Sequence, residues 1–183
     1  MDYYISDLHL GHANVIRWDK RPFDSIGEMH REIIRRWNRT VTPKDTVWLL
    51  GDVAWNTKTA QEILPQLRGT KHLILGNHDK QSEEFFSLFS SVRELAVLKD
   101  QGQQVILCHY PIAHWQNQYR NAVHLYGHVH NTQDDAAFLH YGAYCRSMGI
   151  PFEAYNVGCM LPYMDYTPRT LAQIREANRT ERT

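Results

Sequence analysis

The chain has 183 residues, enough for one domain with a substantial buried core. Hydrophobic residues at 43% and charged residues at 22% are the proportions of an ordinary globular protein. Lys plus Arg and Asp plus Glu each total 20, so the formal net charge is zero, and a surface made to grip long duplex nucleic acid is not expected.

The start, Met1-Asp2-Tyr3-Tyr4-Ile5, lacks a basic region and a long apolar stretch, so no signal peptide is expected. No later run approaches the roughly 18 apolar residues of a membrane span. Residues 3–5 read as a short buried strand. Ser25-Ile26-Gly27-Glu28 is a capping-box pattern, and Met29, Ile33, Ile34 and Trp37 follow at helical spacing. Residues 47–50 form the next strand. Ala60, Ile63, Leu64 and Leu67 mark a second helix, with Gly69 as its stop. Residues 73–75 are a third strand, and a short helix is predicted over 83–89. From Val92 to Cys108, two apolar stretches flank Lys99-Asp100-Gln101-Gly102 and predict an antiparallel hairpin whose second arm holds residues 105–108. Residues 123–126 and 154–157 complete the strands, and the tyrosine-rich stretch 138–166 is expected to pack on a second sheet. Thr167-Pro168 resembles a cap and first-turn proline for a helix carrying Leu171 and Ile174, with a frayed tail over 178–183. Early strand–helix–strand order implies parallel neighbours, so an α/β chain with mixed sheets in a single domain, 1–183, is expected. Cys108, Cys145 and Cys159 are an odd set without close pairing, which points to reduced thiols in a soluble, cytoplasmic protein.

Eleven histidines are a heavy load for this length. Five of the strand runs end in polar clusters: Ser6-Asp7-Leu8-His9, Gly51-Asp52, Gly76-Asn77-His78-Asp79, His109, and Gly127-His128-Val129-His130. Ligands of open α/β sheets bind beyond the carboxyl ends of strands, so these clusters could converge at one rim. Asp7 and His9, like His128 and His130, are two apart, and in extended chain such pairs share a face. The glycines before Asp52, Asn77 and His128 permit close backbone approach. Carboxylate, amide and imidazole donors without a thiolate favour manganese, iron, zinc or related divalent ions. Seven candidate ligands are too many for one ion and suit two ions sharing a carboxylate.

In order, DxH, GD, GNHD, H and GHxH over residues 7–130 resemble the signature of the calcineurin-like metallophosphoesterase superfamily. The resemblance implies a sandwich of two mixed β-sheets flanked by helices. It also implies phosphoester hydrolysis by hydroxide drawn from water between two divalent cations, manganese first, with iron, zinc, nickel or magnesium as alternatives. By resemblance, Asp7, His9 and His130 hold one cation, Asn77, His109 and His128 the other, and Asp52 bridges them. His78 would protonate the leaving oxygen or stabilise the charged phosphoryl group. The pattern departs from the protein Ser/Thr phosphatases, because Val53-Ala54-Trp55-Asn56 follows Gly51-Asp52 and Asp79 stands where they carry Glu. It departs from purple acid phosphatases, since Trp55 takes the place of their tyrosine ligand. The stretch from Asp7 to Phe23, with His12 and Arg21-Pro22-Phe23, resembles small bacterial and phage phosphoesterases.

Around this set, His12 and Arg21 are candidates for binding substrate phosphate, with a solvated loop position as the alternative for each. His114 and Trp115 could line the pocket, the indole as a stacking face or as packing. Asp79 reads as a local cap or as an orienting partner of His78. His30, His72, His124 and His140 fit no pattern and are placed on a helix, on surfaces or at strand edges. The expected substrate is a small phosphoester or nucleotide, with diesters favoured over monoesters because few arginines lie near the motifs. Other readings are a nuclease for short or single-stranded ends and a metal-binding scaffold without catalysis. No membrane partner is expected, and the oligomeric state is open.

Overall fold

The computed structural model describes residues 1–79 and 82–179, so part of the expected frayed tail, 180–183, lies outside the described residues. The first sheet is β1 (Asp2–Ile5), β2 (Thr46–Leu50), β3 (Thr70–Ile74) and β4 (Ser91–Arg93), paired in that order with every pairing parallel. Parallel neighbours need crossovers. They are supplied by α1 (Ala13–Trp18) and α2 (Ile26–Thr40), then α3 (Thr57–Ile63), then α4 (Glu83–Phe86). The Ser25 side chain accepts the Glu28 amide and starts α2 as expected, while the Glu28 carboxylate reaches one residue further back, to the Asp24 amide at 2.7 Å. Met29, Ile33 and Trp37 on the inner face of α2 are fully buried. Each such burial contributes roughly 1.5–3 kcal/mol.

The second sheet is β5 (Leu95–Asp100), β6 (Gln103–Cys108), β7 (Val123–Tyr126) and β8 (Ala154–Asn156). β5 and β6 form the expected hairpin around Gln101 and Gly102, whose φ of 47° and 88° suit a tight turn. β6, β7 and β8 are parallel. α5 (Gln133–Ser147) carries the chain from β7 to β8, a helix the sequence reading did not identify within its tyrosine-rich stretch. Phe138, Tyr141 and Phe152 of that stretch pack with Tyr126 and Trp115 in a satellite core.

The main core lies between the sheets and takes side chains from both, including Ile5, Leu49, Leu73, Val105, Leu107 and Leu125. The edge strands meet beyond their ends, where Ser6 bridges Gly158 and its amide donates to Val157 O at 2.9 Å. On the same edge of β1, away from β2, Tyr4 forms an isolated antiparallel bridge with Arg169. That bridge holds 169 extended, so the last helix, α6 (Leu171–Ala177), starts later than Thr167-Pro168 predicted and is capped by a Thr170–Gln173 capping box. The architecture is the expected α/β sandwich of two four-stranded sheets flanked by helices, but only the second sheet is mixed; the first is wholly parallel because each of its connections is a helical crossover. The cysteines are free thiols, and among the described residues no helix is long and apolar enough to cross a membrane.

Candidate metal centre

The carboxyl ends of β1, β2, β3, β6 and β7 deliver their polar residues to one rim. Asp7, His9 and His130 form one group and Asp52, His109 and His128 a second, the donor atoms of each lying within 4.8 Å of one another. Asn77 joins the second group through Oδ1, 3.1 Å from His109 Nε2. Asp52 Oδ2 lies 3.7 Å from His9 Nε2 and 3.6 Å from His109 Nε2, between the groups.

The paired candidate ligands converge by a different route from the extended one expected. Asp7, His9, Asp52, His128 and His130 all have left-handed backbones, with φ between 48° and 70°. Such conformations cost on the order of 1–3 kcal/mol each and persist only where surrounding bonds enforce them. Here the Asp7 amide donates to Gly51 O at 3.0 Å and the His9 amide to Asp52 O at 2.9 Å, lacing the first two loops together. Gly51 has φ 84°, and a Cβ there would overlap the His109 ring, so this glycine is required on both counts.

The surroundings set charge and tautomer. His109 Nδ1 lies 2.7 Å from Leu50 O and can only donate there, so in the neutral ring the Nε2 lone pair faces the Asn77 amide oxygen. Two acceptors turned toward each other fit a cation between them. Burial pushes His9 down to about 3 against the opposing charge of Asp7, with His130 and Arg21 lowering it further, so its ring is neutral. His128 is also lowered, chiefly by burial. Burial would raise Asp7, but the pull of the His130 ring 3.6 Å away prevails and holds it at about 2. His130 shows the reverse balance. Burial disfavours its charge, yet Asp19 at 2.8 Å and Asp7 at 3.6 Å raise it to about 10. A cation at Nε2 would meet the same demand for positive charge. Donor types, spacing and facing lone pairs fit two hard-to-intermediate divalent ions.

Asp19 was not singled out from the sequence. It accepts from His130 Nδ1 and from Arg21, an arrangement that fixes ring orientation in metal sites. Arg21 does not line the cleft. Its side chain is fully buried and also donates to Asp7 O at 2.9 Å and Leu8 O at 3.0 Å, so its fork is engaged in the protein interior. The signal available was an aspartate two residues before that arginine. Asn156, also missed, donates to His130 O at 2.8 Å.

Asp79 takes the local-cap role, accepting the amides of Gly76, Asp52 and Val53 at 2.8, 3.0 and 2.8 Å; burial raises it to about 6. His78 is exposed, and its amide donates to Asp52 Oδ1 at 2.9 Å, which hangs its ring over the rim. His12 lines the cleft beside His9, with ring centroids 6.0 Å apart. Trp115 does not: it is buried in the satellite core and donates to Ala122 O. His114 pairs with the Tyr141 hydroxyl away from the cleft lining. Of the unassigned histidines, His30 accepts the Gly11 amide, and His124 is fully buried rather than at a strand edge. The cleft holds about 430 Å³, and Trp18 and Trp55, neither expected there, form part of its wall.

Two packed sheets with Asp, His and Asn donors beyond five strand ends define the class: an α/β sandwich with two candidate divalent-cation sites at one rim. The chain belongs to the calcineurin-like phosphoesterase superfamily, whose domain matches residues 3–171 and whose members typically bind divalent metals. It is 35% identical over 141 residues to the uncharacterized protein MJ1445 of Methanocaldococcus jannaschii, covering 75% of this chain and 74% of the relative. It is 28% identical to the gene 66 protein of Mycobacterium phage D29, covering 70% and 78% of the two chains. Among solved structures, the protein of unknown function AQ665 from Aquifex aeolicus superposes with a TM-score of 0.72 at 26% identity, covering 97% of this chain and 98% of that one.

Proposed function

We propose that the protein hydrolyses small phosphodiesters in preference to monoesters, with two divalent cations held at the strand-end rim. The observation that carries this is Asp52 Oδ2 lying between two complete donor groups, within 3.7 Å of His9 and 3.6 Å of His109. Asp7, His9 and His130 would hold one ion and Asn77, His109 and His128 the other, with Asp52 shared. Manganese suits this donor set first; iron, zinc, nickel and magnesium are the alternatives. When bound, such an ion pair lowers the pKa of a water between them and neutralises phosphoryl oxygens.

The chain's own groups do the rest. His9, held neutral by burial, keeps its lone pair available as a ligand. Asp19 and Asn156 fix the ring and the backbone of His130. His78, exposed and anchored through its amide to Asp52, would give a proton to the departing alkoxide. Among the described residues the cleft wall includes no Lys or Arg, so a monoester dianion would find little charge beyond the ions. That favours the singly charged diester.

Steady-state hydrolysis of bis-p-nitrophenyl phosphate and p-nitrophenyl phosphate, each with added manganese, tests the reading. A higher kcat/KM for the diester is expected. A strong monoester preference reverses the order, and no turnover of either ester with stoichiometric metal bound supports a non-catalytic scaffold.

A further inference from the structure

Two indoles form part of the wall of the cleft that holds Asp52 and His128. Trp18, at the end of α1, is 62% exposed, and Trp55, just after the Asp52 loop, is 46% exposed. Both line the same cleft as His9, Asp52 and His78. Both also pack on His12, with centroids 5.1 Å away for Trp18 and 4.2 Å for Trp55, the latter edge to face. Exposed indoles that line a concave polar site offer a ligand an apolar face beside the polar groups.

The platform is built into the backbone. Leu10 bridges Ala54, the Leu10 amide donates to Val53 O at 2.9 Å, and the Trp55 amide donates to Leu10 O at 2.8 Å. His30 accepts the Gly11 amide at 2.9 Å and fixes the turn between them. The buried His12 ring has no hydrogen-bond partner at Nδ1 among the described residues, and both indoles pack against it. The loops that carry the metal-site carboxylates Asp7 and Asp52 therefore also fix the two indoles.

We propose that Trp18 and Trp55 form a stacking site for a nucleobase, so that the substrates are nucleotide-like phosphoesters. The proposal rests on the phosphoesterase reading for the phosphate end alone. Every base has a π-face, and base–indole stacking tolerates sequence, so the platform selects the class of ligand rather than one base. The Asp134 carboxylate and Thr132 hydroxyl share the cleft and can accept from ribose hydroxyls or a base amine. A cleft of about 430 Å³ suits a mononucleotide or a short end, not a protein.

Calorimetric titration of the manganese-loaded protein with adenosine 5′-monophosphate and with ribose 5-phosphate separates the base from the phosphate. The nucleotide should bind about tenfold more tightly. Trp18→Ala and Trp55→Ala should each remove most of that difference and leave ribose 5-phosphate affinity unchanged, while Trp55→Phe should keep part of it. Affinities of the two ligands within about twofold, no binding of either, or Ala variants that retain the preference would overturn the proposal. Because binding is read without turnover, a protein that prefers the nucleotide but hydrolyses no ester supports the stacking site and overturns the hydrolytic reading instead.

Discussion

The two donor groups are held by different physics. Behind Asp7, His9 and His130 lies a charged chain: Arg21 grips Asp19, and Asp19 orients His130. Behind Asp52, His109 and His128 lie mainly neutral and backbone contacts. His109 donates to Leu50 O, Asp79 clamps the Asp52 and Val53 amides, and fully buried His124 pins the chain after His109. The first group is therefore tuned by charge and sensitive to loss of a partner. The second is tuned by where the backbone runs, and replacing a side chain moves it only if the backbone moves.

Asp52 is the atom-level junction of the two groups, and the largest effect is expected there. Asp52→Asn removes the shared charge while keeping shape, and kcat/KM for the diester should fall on the order of 10³-fold in steady-state assays. Near wild-type turnover would break the idea of a shared carboxylate. His78 tests whether chemistry at the rim needs a proton donor distinct from both groups. His78→Gln should cost about 10²-fold for an alkyl leaving group and much less for p-nitrophenolate, which leaves without a proton. Equal losses for both esters would assign His78 to binding instead.

The sequence made the candidate ligands easier to read than their supports. Asp7, His9, Asp52, Asn77, His109, His128 and His130 stand at strand ends in recognisable spacing, and the rim brings them together. Arg21 was legible as a residue but not as a role, because a guanidinium reads alike whether it faces a phosphate or an interior carboxylate. The tryptophans show the same limit: Trp115 follows a ligand yet is buried, while Trp55 follows Asp52 and is exposed. The fold was legible where apolar residues were periodic, as in α2. Helix α5 lacks such a stripe, its buried positions being Asp135, Gly142 and Cys145, so periodicity could not reveal it.

His124 sharpens the contrast through pH. Its Nδ1 lies 3.1 Å from Ile106 O and its Nε2 3.2 Å from the Ile112 amide, bonds that only the neutral ring with its proton on Nδ1 can make together. Burial pushes it down to about 4, from the 6.5 of an ordinary histidine. An unfolded chain then takes up a proton that the folded one refuses, so the contribution is complete above pH 6.5 and is lost as pH falls toward 4. The span is worth about 3 kcal/mol. Denaturant unfolding across that window should show His124→Gln losing less stability on acidification than the wild type, although it starts lower. Parallel losses in both proteins would remove His124 as the cause.

Asp19→Asn gives the smallest effect and the most direct test of the charged chain. The amide keeps the size of the side chain but not the charge that orients and polarises His130, and Arg21 loses its ionic partner. Substituting such a partner of a metal-bound histidine costs about 10–100-fold in affinity. Manganese titration followed by calorimetry should therefore show one site weakened by that factor and the other nearly unchanged, because His109 takes its orientation from Leu50 O rather than from a carboxylate. A uniform weakening of both sites would mean that the two groups are not independently supported, and that Asp52 transmits what happens at His130 to the far side of the rim.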